Sequence, residues 1–374
     1  MQPSDRAKNY DLAVIGAGIH GASIAEAAAQ AGYRVLVLEQ YDGPAQGTSS
    51  KSSKLIHGGL RYLESGQFRL VRECLSERRR LLQQQPDLVK LVPFHIPVYK
   101  HTKRKTWMIA IGLNLYRLLG GKDFKHIDRE NWSQLDGLKT TGLKRVFRYW
   151  DAQTDDLQLT SRIVNSAEKA GAQVVYGATF QEAECTSESC TIRYDHKGEL
   201  QTASTNKVVN ASGPWVNTVL ERVVPPITPV EIELVQGTHI VVPGRLRRGI
   251  YYLEAPSDQR AVFVMPWHEN TMIGTTETPH HGDPSLARPL ESEIEYLLQT
   301  RNHYFKKAIA RNDVIEAFAG LRVLPAGKNN PFNKSRETIL HASRDLPNVL
   351  SIYGGKLTSH HHTMMRVMES LGLA

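Results

Sequence analysis

The segment YDLAVIGAGIHGASIAEAAAQAGYRVLVLE, residues 10–39, allows very few folds. An apolar run from Leu12 to Ile15 reads as a buried strand. Gly16, Gly18 and Gly21 follow at G-x-G-x-x-G spacing, and the alanine-rich stretch Ala22–Ala31 favours helix. Gly32 ends that helix, and Arg34–Leu38 is a second apolar strand running into Glu39. Strand, glycine turn, helix and strand in this order make the βαβ unit that binds a dinucleotide. Gly16 permits the tight turn, Gly18 lets a pyrophosphate approach the backbone, and Gly21 lets helix and sheet pack closely. The helix N-terminus offers free N–H groups and the positive end of its dipole to the phosphates. Glu39, 23 residues beyond Gly16, stands where ribose hydroxyls would donate. The unit by itself fits FAD and NAD equally.

At 374 residues the chain is long enough for two packed subdomains, and its 41% hydrophobic and 22% charged content is that of a globular protein. The first residues, MQPSDRAKN, are polar and hold no signal-peptide core, and no apolar run reaches the ~20 residues of a spanning helix. Cys74, Cys185 and Cys190 do not have metal-ligand spacing. Cys185 and Cys190 are close enough to pair, but a cytosolic chain would keep them reduced. The net charge is +8, from 46 basic and 38 acidic residues, with clusters at Arg78–Arg80 and Lys100–Lys105. No nucleic-acid module is legible. The excess suits an anionic small substrate or an anionic membrane surface, and each cluster taken singly is also an ordinary solvated face.

Residues 41–64 are loop-like, yet carry Lys54, His57, Arg61 and Tyr62. Residues 68–85 form an amphipathic helix, 93–99 a strand, and 107–121 an apolar helix behind the basic run KHTKRK. That helix is either surface-lying on a membrane, with Trp107 at the interface, or a core helix under a loop. A strand at 145–150, a helix at 155–170 and a strand at 173–176 follow. Next come a ribbon at 191–205 and a strand–turn–helix at 207–220. Residues 232–242 and 261–275 predict strands of a separate sheet, and 290–304 a helix. The segments 313–325 and 335–340 follow, and then a strand at 349–353 that leads through Gly354 and Gly355 into a closing helix beginning near Lys356. His360, His361 and His362 point about 100° apart on that helix, so they read as packed or solvated rather than as a metal site. Asp155 and Asp156 read as capping charges.

The motifs GAGIHG (16–21), TSSKSSKLIHGGLRYLE (48–64), VVNASGPWV (208–216), QGTHIVV (236–242), PWHENTMIGTTE (266–277), GLRVLP (320–325) and YGGKLTS (353–359) span nearly the whole chain. Together they resemble the FAD-dependent glycerol-3-phosphate dehydrogenases, within the glycine/D-amino-acid oxidase superfamily. The resemblance implies an α/β fold: a discontinuous Rossmann-type FAD-binding domain (8–92, 145–225, 312–374) and an antiparallel-sheet substrate domain (93–144, 226–311). It implies that Gly16, Gly18 and Gly21 hold the pyrophosphate and Glu39 the ribose. Ser49, Ser53, Lys54, Leu55, His57 and Gly59 would line pyrophosphate and flavin. Thr179 would meet the adenine through its backbone, and Ser212 and Gly213 the nucleotide. Gly320, Gly355, Lys356, Leu357 and Thr358 would surround the isoalloxazine. Arg61, Tyr62, Arg322, Arg336 and Lys356 would bind substrate and its phosphate, and His239 would accept or orient the hydroxyl proton.

The implied reaction is oxidation of sn-glycerol 3-phosphate to dihydroxyacetone phosphate by hydride transfer from C2 to flavin N5, with electrons passed to quinone or oxygen. Another small hydroxy or amino acid, or a flavin-binding subunit without turnover, is the alternative. The resemblance also implies a cytoplasmic protein, peripheral at the inner face of the membrane. Two departures stand out: family members continue into a further helical domain beyond the closing helix, and Glu337 follows Arg336 where aspartate is usual.

Overall fold

Val35–Glu39 is buried at every position, as a parallel strand covered on both faces must be. It pairs in parallel with Lys8–Ile15 on one side and Gln173–Tyr176 on the other. A computed structural model describes residues 8–327 and 338–373, so Arg336 and Glu337 lie outside the described residues. The helices are α1 (Ile19–Gln30), α2 (Phe68–Gln84), α3 (Thr106–Leu118), α4 (Asp156–Lys169), α5 (Val216–Leu220), α6 (Glu291–Tyr304) and α7 (His360–Ser370).

The chain divides into two units. The first is built from Met1–Ser52, Asp155–Leu234 and Arg322–Ala374, the second from Ser53–Thr154 and Val235–Leu321. Residues 53–92 and 145–154, expected with the nucleotide domain, thus fold into the second unit. Strand pairing explains this: Lys90–Tyr99 runs antiparallel to Leu143–Gln153 over nearly its full length, and Leu55–Ile56 pairs with the end of the same strand.

In the first unit, Glu199–Asn210 serves two pairings. Its first half makes a ribbon with Cys190–His196. Its last residues run parallel to Lys8–Ile15 and to Val349–Tyr353. The hairpin of Ala178–Cys185 with Cys190–His196 sets Cys185 directly opposite Cys190, and the two form a disulfide. The reduced state expected from sequence is therefore corrected: an antiparallel register that closes on these two residues places their sulfurs side by side. Asp155 caps α4, its carboxylate accepting from Gln158 N at 3.0 Å, as expected. Asp156, in the same first turn, is fully buried; its Oδ1 accepts from the N–H of Leu157 at 2.9 Å and its Oδ2 from Ser52 N at 3.0 Å, fastening the loop before the second unit's first residue.

The second unit is a mostly antiparallel sheet in the order Ile232–Pro243, Asn270–Gly274, Ala261–Trp267, Ile250–Glu254, Lys90–Tyr99, Leu143–Gln153, Leu55–Ile56. Alternation along its strands feeds two cores. Val241, Ile250, Tyr252 and Met272 face α2 and α3, whereas Ile240, Val242, Tyr251 and Ile273 face α6. Arg78, expected in a basic surface cluster, is buried and paired with Asp151.

Candidate active site

The glycine turn of the first unit is explained by contact. Gly16 has φ +103°, and a Cβ there would lie 2.8 Å from the carbonyl oxygen of Ala211. A Cβ on Gly21 would lie 1.9 Å from the carbonyl oxygen of Gly16, so the first turn of α1 touches the strand end. Gly18 opens α1, and Ser49 Oγ accepts from the N–H of Ile19 at 2.9 Å. Ser49 thus borders the helix end that carries the positive dipole.

Glu39 is buried and accepts from the N–H of Ala17 (2.7 Å) and of Tyr41 (3.1 Å). Burial pushes its carboxyl above the usual range, against the pull of those backbone N–H groups and that of Gln40. A carboxylate has about four lone-pair sites, so it retains capacity for a ribose hydroxyl. Ser212 Oγ donates to Asn210 Oδ1 at 2.6 Å, and Gly213 follows with φ +58°. Thr179 is exposed on Ala178–Cys185, opposite Asp195. Arg322 is half-buried on Glu316–Pro325.

The closing helix begins later than expected. α7 starts at His360, and Lys356 and Leu357 lie half-buried in the preceding turn, where the N–H of Ser359 donates to the carbonyl of Lys356 at 3.2 Å. Gly354 and Gly355 both have positive φ, which carries the chain through a turn before the helix can nucleate. Thr358 is buried. His20, on the first turn of α1, was not singled out from sequence. Its ring packs on Gly355, where a Cβ would come 2.2 Å from Nε2. Burial holds its pKa down at about 4. His360 packs through Nδ1 against Ser23 Oγ at 2.6 Å, in keeping with the packed reading of the histidine run.

In the second unit the segment after Ser52 and the strands that carry His239, Trp267, Gly274 and Phe318 bring a compact cluster together. His239, on Ile232–Pro243, is buried, with Nε2 2.9 Å from Ser53 Oγ. Its ring stacks on Phe318 at 5.1 Å and 14°. It packs so tightly on Gly274 that a Cβ there would fall 2.0 Å from its ring. Lys54 is only 5% exposed, unlike an ordinary loop lysine. Its ammonium lies 5.2 Å from the Phe318 ring and 5.4 Å from that of Trp267, within cation–π range. Leu55 is buried in the next strand, and the ring of His57 tilts over Phe263 at 6.4 Å. Gly59 has φ +74°, and a Cβ there would lie 2.2 Å from the Tyr62 ring. The Arg61 guanidinium lies 5.8 Å from that ring. Gly320 lies on the Phe318 strand.

In the first unit the glycine turn, which leaves no room for side chains beside the α1 N-terminus, fits the pyrophosphate of a dinucleotide. The chain belongs to the FAD dependent oxidoreductase family, whose model matches residues 11–361. It is 38% identical over 366 residues to a glycerol-3-phosphate dehydrogenase of Pseudomonas aeruginosa, covering 95% of this chain and 70% of that relative. It is 35% identical over 380 residues to a D-erythritol 1-phosphate dehydrogenase of Brucella abortus, covering 96% and 73%. Among solved structures, the FAD complex of the Bacillus halodurans glycerol-3-phosphate dehydrogenase superposes with a TM-score of 0.78 at 26% identity. It covers 98% of this chain, which spans 64% of that one.

Proposed function

We propose that this chain is an FAD-dependent dehydrogenase of a small phosphorylated polyol, with sn-glycerol 3-phosphate as its substrate and dihydroxyacetone phosphate as the product. The observation that carries this reading is the match, over nearly the whole chain, to two relatives named for phosphorylated polyols. FAD, when bound, supplies a two-electron acceptor for the hydride on the carbinol carbon. Gly16, Gly18 and the N-terminus of α1 receive its pyrophosphate and Glu39 its ribose. Ser49, Thr179, Ser212, Gly213, Gly355, Leu357 and Thr358 serve the rest of the nucleotide and flavin, with Ser53, Lys54, Leu55, His57, Gly59 and Gly320.

Arg61, Arg322 and Lys356 hold the phosphate, the guanidinium forks by paired charge-assisted hydrogen bonds. Tyr62 donates to substrate. His239 takes the hydroxyl proton at Nε2, where Ser53 Oγ is already within hydrogen-bonding distance to share it. Proton loss from oxygen and hydride loss from carbon together leave the ketone. Arg336 belongs to the same proposal by sequence only.

The test is anaerobic reduction of the purified flavoprotein by glycerol 3-phosphate, erythritol 1-phosphate, 2-hydroxyglutarate and glycine, followed by bleaching of the flavin. Reduction by a hydroxy or amino acid and not by any phosphate ester would overturn the reading. Arg322→Ala is expected to raise KM for glycerol 3-phosphate at least tenfold with FAD retained. His239→Asn is expected to lower kcat by about 10²–10⁴-fold. Steady-state kinetics on the two variants checks both.

Among the described residues no helix is long and apolar enough to cross a membrane. α3 has one buried face and one exposed apolar face. Ile109, Leu113 and Tyr116 face the core, while Trp107, Ile111 and Leu118 on the opposite side are 65%, 59% and 77% exposed. Lys103, Lys105 and Arg117 are exposed beside them, whereas Arg104 is held by Glu64 and Glu254. We place this face on the anionic surface of the cytoplasmic leaflet, with membrane quinone as electron acceptor. Replacing Trp107, Ile111 and Leu118 with serine should reduce recovery on anionic vesicles at least tenfold, since each large apolar side chain contributes about 1.5–3 kcal/mol when buried. Raised salt should weaken the wild type as well. Unchanged co-sedimentation would remove α3 from any membrane contact.

A further inference from the structure

The turn that carries His57 is tied to α3 by a buried hydrogen-bond chain. The N–H of Gly58 donates to Tyr116 Oη at 2.9 Å. Tyr116 Oη in turn donates to Asp151 Oδ2 at 2.7 Å. Arg78, on α2, donates to Asp151 Oδ1 and, at 3.0 Å, to the carbonyl oxygen of Trp150. Tyr116, Asp151 and Arg78 are 1%, 1% and 4% exposed. There is no slack at the turn: a Cβ on Gly58 would lie 2.4 Å from Tyr116 Oη and 2.5 Å from Leu75.

The chain thus joins the His57–Gly59 turn, α3, α2 and the strand Leu143–Gln153 of one unit through a charge whose hydrogen bonds are all internal. Such a network is rigid when complete, because every member lost leaves another buried group unpaired. One end of it is the backbone N–H of Gly58, next to His57. Its outer end is the inward face of the helix whose other face is open to solvent.

We infer that Tyr116 is a positioning residue that sets the His57–Gly59 turn against α3, and so fixes how that turn meets the flavin. The inference rests on the proposed flavin site, because His57 matters here only as a flavin-lining residue. It assigns Tyr116 no contact with substrate.

The test compares Tyr116→Phe with Leu113→Ala in the FAD-loaded full chain. Leu113 is buried on the same face of α3 but takes no part in the hydrogen-bond chain. The phenylalanine variant should keep full FAD occupancy and a KM for glycerol 3-phosphate within twofold of wild type. Its kcat should fall about tenfold, and its visible flavin band and reduction potential should shift. Leu113→Ala should lower the melting temperature at least as much and leave band and potential where they were. Identical kcat, band and potential in Tyr116→Phe and wild type would overturn the inference. So would changes that follow the melting temperature alike in both variants. Should Tyr116→Phe fail to fold, Asp151→Asn, which removes the charge and keeps the shape, decides on the same readouts. A wild type that binds no FAD, or is reduced by no polyol phosphate, would sink the functional proposal instead and is seen before any variant is made.

Discussion

Glu293→Ala is expected to cost about 3 kcal/mol or more of stability, because it strands several buried donors at about 1–3 kcal/mol each before relaxation. Glu293 Oε2 accepts from Gln236 Nε2 (2.7 Å), Thr238 Oγ1 (2.6 Å) and the N–H of Leu290 (3.0 Å). Oε1 accepts from Thr276 Oγ1 and Thr278 Oγ1, both at 2.7 Å. The carboxylate is buried in the first turn of α6, where the helix dipole also favours a negative charge. It binds the strand of Thr238 to the segment after Gly274, and both flank His239. Turnover should therefore fall along with stability.

The pH dependence follows from the same contacts. Burial alone would push the Glu293 carboxyl up, but the hydrogen bonds from Thr238, Leu290, Thr276 and Thr278 outweigh it, and the group sits below its ordinary value of 4.5. A carboxyl depressed in the folded state contributes stability above its unfolded pKa and loses it as pH falls through the folded one. Wild type should therefore lose this increment below about pH 4.5. Glu293→Gln should lack it already at pH 7 and show a flatter profile across the acid range. Thermal unfolding of both proteins from pH 7 to pH 3 measures the difference, and parallel profiles would show that the carboxylate carries no such increment.

Gly21→Ala is expected to abolish FAD binding. The added methyl would sit 1.9 Å from the carbonyl oxygen of Gly16, which is backbone and cannot swing aside. Either α1 moves off the sheet or the Gly16 turn opens, and each takes the helix N-terminus away from the pyrophosphate. Overpacking of this kind also costs about 1–3 kcal/mol. Gly112→Ala is the matching control. It lies within α3, its nearest neighbour would be Leu60 Cδ1 at 4.0 Å, and alanine there should stabilise by about 0.5–1 kcal/mol. The ratio of flavin to protein absorbance after purification reads both. A Gly21→Ala protein that stays yellow would show that α1 tolerates displacement from the strand.

Strands and helices that carry their own pattern are legible in the residues alone. Gln173–Tyr176 falls where its apolar run ends, and α2 and α6 match their periodic stretches to within a residue. Local pattern misleads wherever a partner distant in sequence decides. Lys54 looks like a loop lysine until Trp267 and Phe318 close over it. Arg78 looks like surface charge until Asp151 is set beside it. Cys185 and Cys190 become a pair through hairpin register, and Glu293 has no motif at all because its donors come from three separate stretches.

What the residues determined unaided is the βαβ unit at 10–39 and the type of cofactor its glycines admit. Steric exclusion between near neighbours needs no more than spacing, so Gly16 and Gly21 could be assigned from their positions alone. The meeting of Ser53 with His239, 186 residues apart, was decided only by the tertiary structure. No local preference encodes that distance. It is set by which strands pair and by the burial that makes the pairing favourable.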